Sequence, residues 1–341
     1  MTNISIIIPH YNNYQILNDC LKSLYKSELH DAEIIIVNNN STDDSIKKIT
    51  VKYPKPIIIS TTMNRGYAGG CNYGAKHAKG KLLVFLNNDI EVHKEWLTQL
   101  IQTIGSKTNI ASVQPKILNK KNPKKFDYAG ASGGFIDKYC YPFARGRIFN
   151  TIENDNGQYN DEKKIFWASG TGFITRKSIF NILGGFDETL FAHMEEIDYH
   201  WKCQLHGYEI YVNPMSIIYH LCGKTLSYQS AYKTYLNHRN SLLLLLSNYN
   251  FINTLKFIII RIIMEFISCI KDLVSLRFNH AFAQINSLLW IILHPHIIIK
   301  RRTIIKSIRK VTDKKLLNNI IFDKSIVYQY FIKQNKKYTS L

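Results

Sequence analysis

Along the first hundred positions apolar residues come in short bursts of four or five, each closed by a polar or glycine-rich cluster. Residues 5–8, 33–37 and 57–60 are rich in β-branched side chains and read as strands, as do residues 82–86, an unbroken apolar run with one β-branched and one aromatic member suited to burial on both faces of a sheet. Between the bursts the period changes. Ile16, Leu17, Cys20, Leu21 and Leu24 recur at helical spacing, and residues 45–52, a stretch ending at 78 and residues 96–104 continue the pattern. The alternation predicts an α/β fold with a mostly parallel, doubly wound sheet and flanking helices. Every polar cluster then falls after a strand, at the carboxyl edge where such sheets bind ligands.

Four such clusters are present. Pro9, His10, Tyr11, Asn12 and Asn13 close the first strand, and Asn38, Asn39 and Asn40 with residues 41–44 close the second. Residues 64–72, with Gly66, Gly69 and Gly70, follow the third, and Asn87, Asn88 and Asp89 follow the fourth. Amides, hydroxyls, glycines and a carboxylate at one edge describe a nucleotide-sized site. Turn and capping chemistry accounts equally well for the Asn-rich loop taken singly. The glycines permit close approach to a diphosphate, but no GxGxxG follows the first strand, which weighs against a dinucleotide dehydrogenase.

From about residue 116 the alternation stops. Residues 127–134 carry three glycines and 145–160 are polar, so long loops are expected there. Regular elements resume at 164–167, with a helix near 176–183 ended by Gly184 and Gly185. Glu195, Glu196 and Asp198 then open a helix reaching His206, and their charge suits the positive end of its dipole whether or not they have another role. Strand character at 209–212 and 216–219 stops at His220, a position more often structural than ligating.

Charge changes the picture. Forty-four Lys and Arg against 25 Asp and Glu give +19 over 341 residues, which implies an anionic partner. Cys20, Cys71, Cys140, Cys203, Cys222 and Cys269 form no CxxC pair, so neither zinc nor a disulfide framework is suggested. The start of the chain has strand character with no basic leader or cleavage site, and the chain is expected to stay on the cytoplasmic side.

Together these motifs resemble the inverting nucleotide-sugar transferases of glycosyltransferase family 2, in particular the rhamnosyltransferase-like branch with the GT-A fold, over residues 4–244. The resemblance implies that Pro9, Tyr11, Asn12, Asn38 and Asn40 hold the nucleoside. It places Asn64, Gly66, Gly70, Asn72, Asn87 and Asn88 near the rest of a dTDP- or UDP-sugar donor. It gives Asp89 and His220 to a Mn²⁺ or Mg²⁺ ion, and it puts Trp167, Gly170, Thr171 and Trp201 on the acceptor side. The base that deprotonates the acceptor hydroxyl is expected at Glu196, with Glu195 and Asp198 as alternatives. Asn38, Asn87 and Glu196 each stand where many relatives carry Asp. Two rivals are a non-catalytic nucleotide-sugar-binding subunit and a nucleotidylyltransferase; residues 9–13 contain no glycine and no basic residue other than His10, whereas the latter would need both.

The catalytic part is expected over residues 1–240, divided near 115 into donor and acceptor halves, with an amphipathic basic helical region over 241–341. In residues 255–275 Arg261, Glu265, Ser268, Asp272 and Ser275 step by four and three, leaving one narrow polar stripe on an otherwise apolar helix. Residues 278–299 lack formal charge but carry Asn279, Gln284, Asn286, His294, Pro295 and His296, which suits a hairpin or re-entrant element more than a membrane span. Residues 300–315 hold eight basic residues and one acid, a run that attracts anionic lipid. Peripheral docking at the cytoplasmic face of the cell membrane is the expectation, with a polyprenyl-linked or polysaccharide acceptor and no nucleic acid. The competing account packs the apolar face on the catalytic domain or on a twin subunit, making a homo-oligomer.

Overall fold

The computed structural model describes residues 3–221 and 230–341. The donor half contains β1 (Ile4–His10), α1 (Tyr14–Leu24), β2 (Glu33–Asn38), α2 (Ser45–Lys52), β3 (Ile57–Ser60), α3 (Gly66–His77), β4 (Leu82–Leu86), β5 (Ile90–Val92) and α4 (Trp96–Ser106). Next come β6 (Ile110–Asn119), β7 (Asn122–Phe126), β8 (Gly134–Ile136), β9 (Pro142–Ala144), β10 (Arg147–Ile148), β11 (Thr151–Ile152), β12 (Lys163–Ile165) and β13 (Gly172–Arg176). Then follow α5 (Lys177–Ile182), α6 (Glu195–His206), β14 (Glu209–His220), α7 (Ala231–Asn248), α8 (Phe251–Val274), α9 (Phe278–Leu293), α10 (Pro295–Ile308), α11 (Asp313–Asn319) and α12 (Ile326–Phe331).

The main sheet runs β12-β14-β6-β13-β4-β1-β2-β3, with β5 paired to β14 and β7 to β6. Strands β3, β2, β1 and β4 are parallel, as the alternation predicts. The sheet as a whole is mixed rather than mostly parallel. β13 lies antiparallel between β4 and β6, and β14 runs parallel to β6. Two reversals leave β6 pointing the same way as β4, which fits a β4-α4-β6 crossover whose gap is filled later by β13.

Unbroken apolar runs are needed because both faces of the sheet are covered. Ile6, Ile8, Val84 and Leu86 meet Leu17, Leu21, Trp96 and Leu100 on one face. Their neighbours Ile7, Leu83 and Phe85 meet Ala68, Cys71, Phe180 and Tyr199 on the other. The segment expected to be loops builds a second, antiparallel sheet of order β11-β10-β9-β8.

The expected divisions near 115 and 240 fall inside β6 and inside α7. The last hundred residues share a core with the rest: Ile197, Trp201 and Leu205 pack with Leu243, Leu245, Phe257, Ile305 and Leu316. Phe322 exchanges backbone hydrogen bonds with Ile136 and Lys138. Of the polar stripe on α8, Arg261, Glu265 and Asp272 are buried, so the helix turns its polar residues inward. The uncharged stretch breaks at His294, where α9 and α10 meet at 71°. No single helix among the described residues is long and apolar enough to cross a membrane.

Candidate active site

β1 and β4 are neighbours, so their ends deliver the first and fourth clusters to one place. Asn88 Nδ2 and His10 Nδ1 lie 2.8 Å apart, and the other nitrogen of the His10 ring meets Ser45 Oγ at 2.9 Å. Burial, partly opposed by Asp43, pulls His10 down to about 4, so the ring is neutral near pH 7. The first two loops are clasped. Asn12 Oδ1 accepts from Thr42 N–H (2.8 Å), Asn12 N–H donates to Ser41 Oγ (3.0 Å), and Asn13 N–H donates to Asp43 (2.6 Å). Asn12, Asn13 and Asn40 take left-handed backbone angles, a conformation Asn tolerates better than most residues. Tyr11 stays exposed at the mouth of the loops. Asn38 Oδ1 accepts from Ser41 N–H at 2.9 Å, so part of its capacity closes its own turn.

The glycines do not line an open loop. They lie in the first turns of α3, where Gly66 and Gly70 are buried. At Gly66, φ is +67° and a Cβ would come within 2.4 Å of the Phe191 carbonyl oxygen. At Gly70 a Cβ would press on Pro9 and Asn39 at 3.3 and 3.4 Å. Asn39, not singled out beforehand, organises this corner: its Nδ2 donates to Asn64 Oδ1 and the Gly66 carbonyl, and its Oδ1 accepts from Arg65 N–H. Asn72 is likewise a strut. It exchanges hydrogen bonds with the Phe186 backbone and donates to Glu188, which also pairs with Arg65 at 2.7 Å.

Asp89 and His220 converge. β5 pairs antiparallel with β14, with Ile90 opposite His220, and this sets Asp89 Oδ2 3.3 Å from His220 Nε2. The far ring nitrogen, Nδ1, lies 2.9 Å from Asp127 Oδ1. A carboxylate behind a histidine is the arrangement that fixes the ring and its tautomer at metal centres. Asp89 Oδ1 is buried without a hydrogen-bond partner among the described residues. The pair therefore fits a divalent cation as one oxygen and one nitrogen donor, although no set of three His, Cys, Asp or Glu side chains forms a complete cage among the described residues. Asp127 gives no periodic signal in the sequence; the pairing of β7 and β14 with β6 brings it here.

The acidic cluster reaches the same edge through β13. Gly172 is opposite Leu86, and Asn87 N–H donates to the Thr171 carbonyl at 3.0 Å. One residue earlier, the Gly170 carbonyl accepts from the Tyr67 hydroxyl, and the Gly170 backbone lies near enough to Glu196 to favour its ionised form. Of the three acidic residues, Glu196 alone is partly open; Glu195 and Asp198 are buried. Burial lifts Glu196 to about 7 against the pull of surrounding backbone N–H groups. Burial, then the charge of Glu196, raises Glu195 well above the usual carboxylate range. Directly before them Phe191, His193 and Met194 all have positive φ, a strained run. Arg239 and Asn240 of α7 hold it by donating to the carbonyls of Thr189, Leu190, Ala192 and His193.

Three expected site residues lie elsewhere. Asp198 faces the C-terminal helices, with Arg301 at 2.6 Å, Lys202 at 3.1 Å and Asn248 Nδ2 at 3.1 Å. Burial raises its pKa, but Arg301 and then Lys202 outweigh this and bring it to about 2, so it is a poor base. Trp201 is fully buried between Phe166 and Tyr249, because α6 must cover the C-terminal core with that side. Trp167 is buried too, its Nε1–H donating to the Phe135 carbonyl and its ring lying where a Cβ on Gly134 would be.

Arg301 also pairs with Asp187, so it ties α10 to both ends of the strained segment. We expect Arg301→Ala to cost about 3–5 kcal/mol, since it strands a buried carboxylate. Urea unfolding measures this, and a loss below about 1 kcal/mol would show that the cluster is not structural. Because Asp198 is depressed in the folded state, its contribution is complete above the unfolded value of about 3.9 and is lost as pH falls towards 2.

The family model described as Glycosyl transferase family 2 matches residues 5–184. The low-salt glycan biosynthesis hexosyltransferase Agl10 of Haloferax volcanii is 25% identical over 251 residues, 71% of this chain and 75% of that protein. The O-antigen biosynthesis protein RfbC of Myxococcus xanthus is 29% identical over 194 residues, 54% of this chain but 14% of its own length. In structure, GalNAc-T7 bound to UDP, GalNAc and Mn²⁺ superposes with a TM-score of 0.57 at 16% identity, covering 72% of this chain and 47% of that one. The mannosyltransferase PcManGT of Pyrobaculum calidifontis, in complex with GDP-Man and Mn²⁺, gives 0.50 at 14% identity over 70% of this chain and 62% of its own. The strand order, the clustered edge loops and the family match over more than half the chain lead to one assignment: this protein belongs to glycosyltransferase family 2, with a GT-A-like α/β fold.

Proposed function

We propose that the chain is an inverting, divalent-metal-dependent glycosyltransferase that moves a sugar from a dTDP- or UDP-linked donor to a lipid-linked or polysaccharide acceptor in surface-glycan synthesis. The observation that carries it is the approach at one sheet edge of the Asp89–His220 pair, through the Asn87–Thr171 backbone hydrogen bond, to Glu196, whose buried Oε2 has no hydrogen-bond partner among the described residues. The names of the Haloferax and Myxococcus relatives, both of glycan biosynthesis, support the acceptor class. The branch resemblance favours rhamnose, a deoxyhexose, and the hexosyltransferase name of the Haloferax relative supports a six-carbon sugar.

Asp89 and His220 would hold Mn²⁺ or Mg²⁺, with Asp127 orienting the imidazole. A cation bound there supplies neutralisation of the charge that builds on the departing diphosphate. The loops ending β1 and β2 would hold the nucleoside with the exposed Tyr11 ring and Asn40, while the amide groups of Asn12 and Asn38 brace the loops around it. Glu196 accepts the proton of the acceptor hydroxyl. The oxygen so released forms a bond to the anomeric carbon as the carbon–diphosphate bond breaks, and the electron pair leaves with the nucleoside diphosphate. A single displacement inverts the anomeric centre. Glu195, buried and pushed well above the usual carboxylate range, leaves Glu196 as the acidic-cluster residue suited to act as base.

Calorimetry with dTDP, UDP and GDP, each with Mn²⁺ or EDTA, tests the donor site. We expect a pyrimidine nucleotide to bind at least tenfold more tightly with Mn²⁺. Equal binding of GDP, or no nucleotide binding under either condition, would refute the donor assignment.

A further inference from the structure

The two longest helices after α7 are built inside out. On α8 the charged residues Arg261 and Glu265 point into the protein and are fully satisfied there. Arg261 donates to Glu265 (2.8 Å), the Tyr139 carbonyl (2.6 Å) and Ser241 Oγ (2.6 Å), and His238 meets Glu265 at 2.5 Å. Farther along, buried Asp272 accepts from Gln284 of α9 at 2.6 Å, which joins the inward faces of the two helices. The outward faces are apolar at helical spacing: Ile259, Ile263, Phe266 and Ile270 on α8, Phe282 and Leu289 on α9. Ile259 is 67% and Phe282 63% exposed. A water-facing helix has the opposite polarity.

Charge marks the limits of these faces. Between exposed Lys256 and Lys271 no charged residue of α8 is exposed, and between exposed Arg277 and Lys300 none of α9 is. From residue 251 onward the chain has 16 Lys and Arg against four Asp and Glu. Two copies brought together on this face would oppose like charges, whereas an anionic surface would attract them.

We infer that the outward faces of α8 and α9 seat in the outer acyl layer of an anionic bilayer, with Lys256, Lys271, Arg277 and Lys300 at headgroup level. This is an embedded but non-spanning attachment. α8 is 24 residues long, about 36 Å, and lies along the surface. The inference rests on the polarity of the two helices and not on the catalytic reading, so either can fail alone.

The test is flotation of the full chain with vesicles of phosphatidylcholine alone and of phosphatidylcholine with phosphatidylglycerol, for wild type and the double variant Ile263→Glu, Phe266→Glu. Both side chains are exposed, so the variant should keep its circular dichroism spectrum and melting temperature. Wild type should bind the mixed vesicles and prefer them to neutral ones, and the variant should bind on the order of tenfold or more weakly. Undiminished binding by the variant, or failure of wild type to bind mixed vesicles, overturns the inference. So does a wild-type dimer in sedimentation that the substitutions dissociate, since the face would then belong to a second copy.

Discussion

Glu196→Gln should lower kcat by about 10²–10⁴-fold while leaving nucleotide affinity within about twofold. The substitution keeps shape and removes only the ability to take a proton. The donor loops lie on the ends of β1 to β4 and do not include this side chain, so the effect should fall on turnover. In wild type the base must be ionised, and burial has moved its titration to about 7. The kcat/KM profile should therefore climb about tenfold per pH unit below that value and level off above it. Because Glu195 and Glu196 interact, the limb belongs to the pair. Glu195→Gln separates them: it keeps the shape of a buried side chain that is not assigned the proton transfer, and activity should stay within about tenfold. A large loss in Glu195→Gln with little loss in Glu196→Gln would reverse the two roles.

The parallel half of the fold was legible because burial on both faces leaves a direct mark, an unbroken apolar run closed by a polar cluster. β13 left no such mark. An antiparallel strand inserted between β4 and β6 is chosen by long-range pairing, and the mixed sheet is its consequence. Short strands of the second sheet, such as β10 with two residues, are below the reach of any period. The site shows the same division. Sequence points to Asn38, Asn39 and Asn40 as a group, yet only coordinates show that Asn39 holds the α3 corner. The resemblance puts Trp201 on the acceptor side, but α6 buries it against Tyr249. On α8 the polar stripe was legible, but periodicity carries no sign. It locates a stripe without saying whether the stripe faces protein or solvent.

Asp89→Ala should reduce kcat/KM by roughly 10³-fold or more, because a Lewis-acid ion supplies several kcal/mol and each 1.4 kcal/mol is a factor of ten. The loss should come with its own binding signature. Mn²⁺ affinity, followed by paramagnetic resonance in the presence of nucleotide, should weaken at least 100-fold, while nucleotide binding in EDTA stays at the wild-type level. The fold should survive, since the backbone contact from Leu221 N–H to the Asp89 carbonyl is independent of the side chain and Asp89 Oδ1 has no protein partner to lose among the described residues. Asp127→Asn should fall between wild type and Asp89→Ala, at about 10–100-fold in Mn²⁺ affinity, because it acts only through the ring it orients. That graded series separates a metal centre from a buried ion pair. If His220 and Asp89 served only each other and Asp127, both substitutions would lower the melting temperature and neither would change Mn²⁺ affinity. Activity indifferent to EDTA in wild type would end the metal assignment and leave Asp89 as a structural carboxylate at the end of β4.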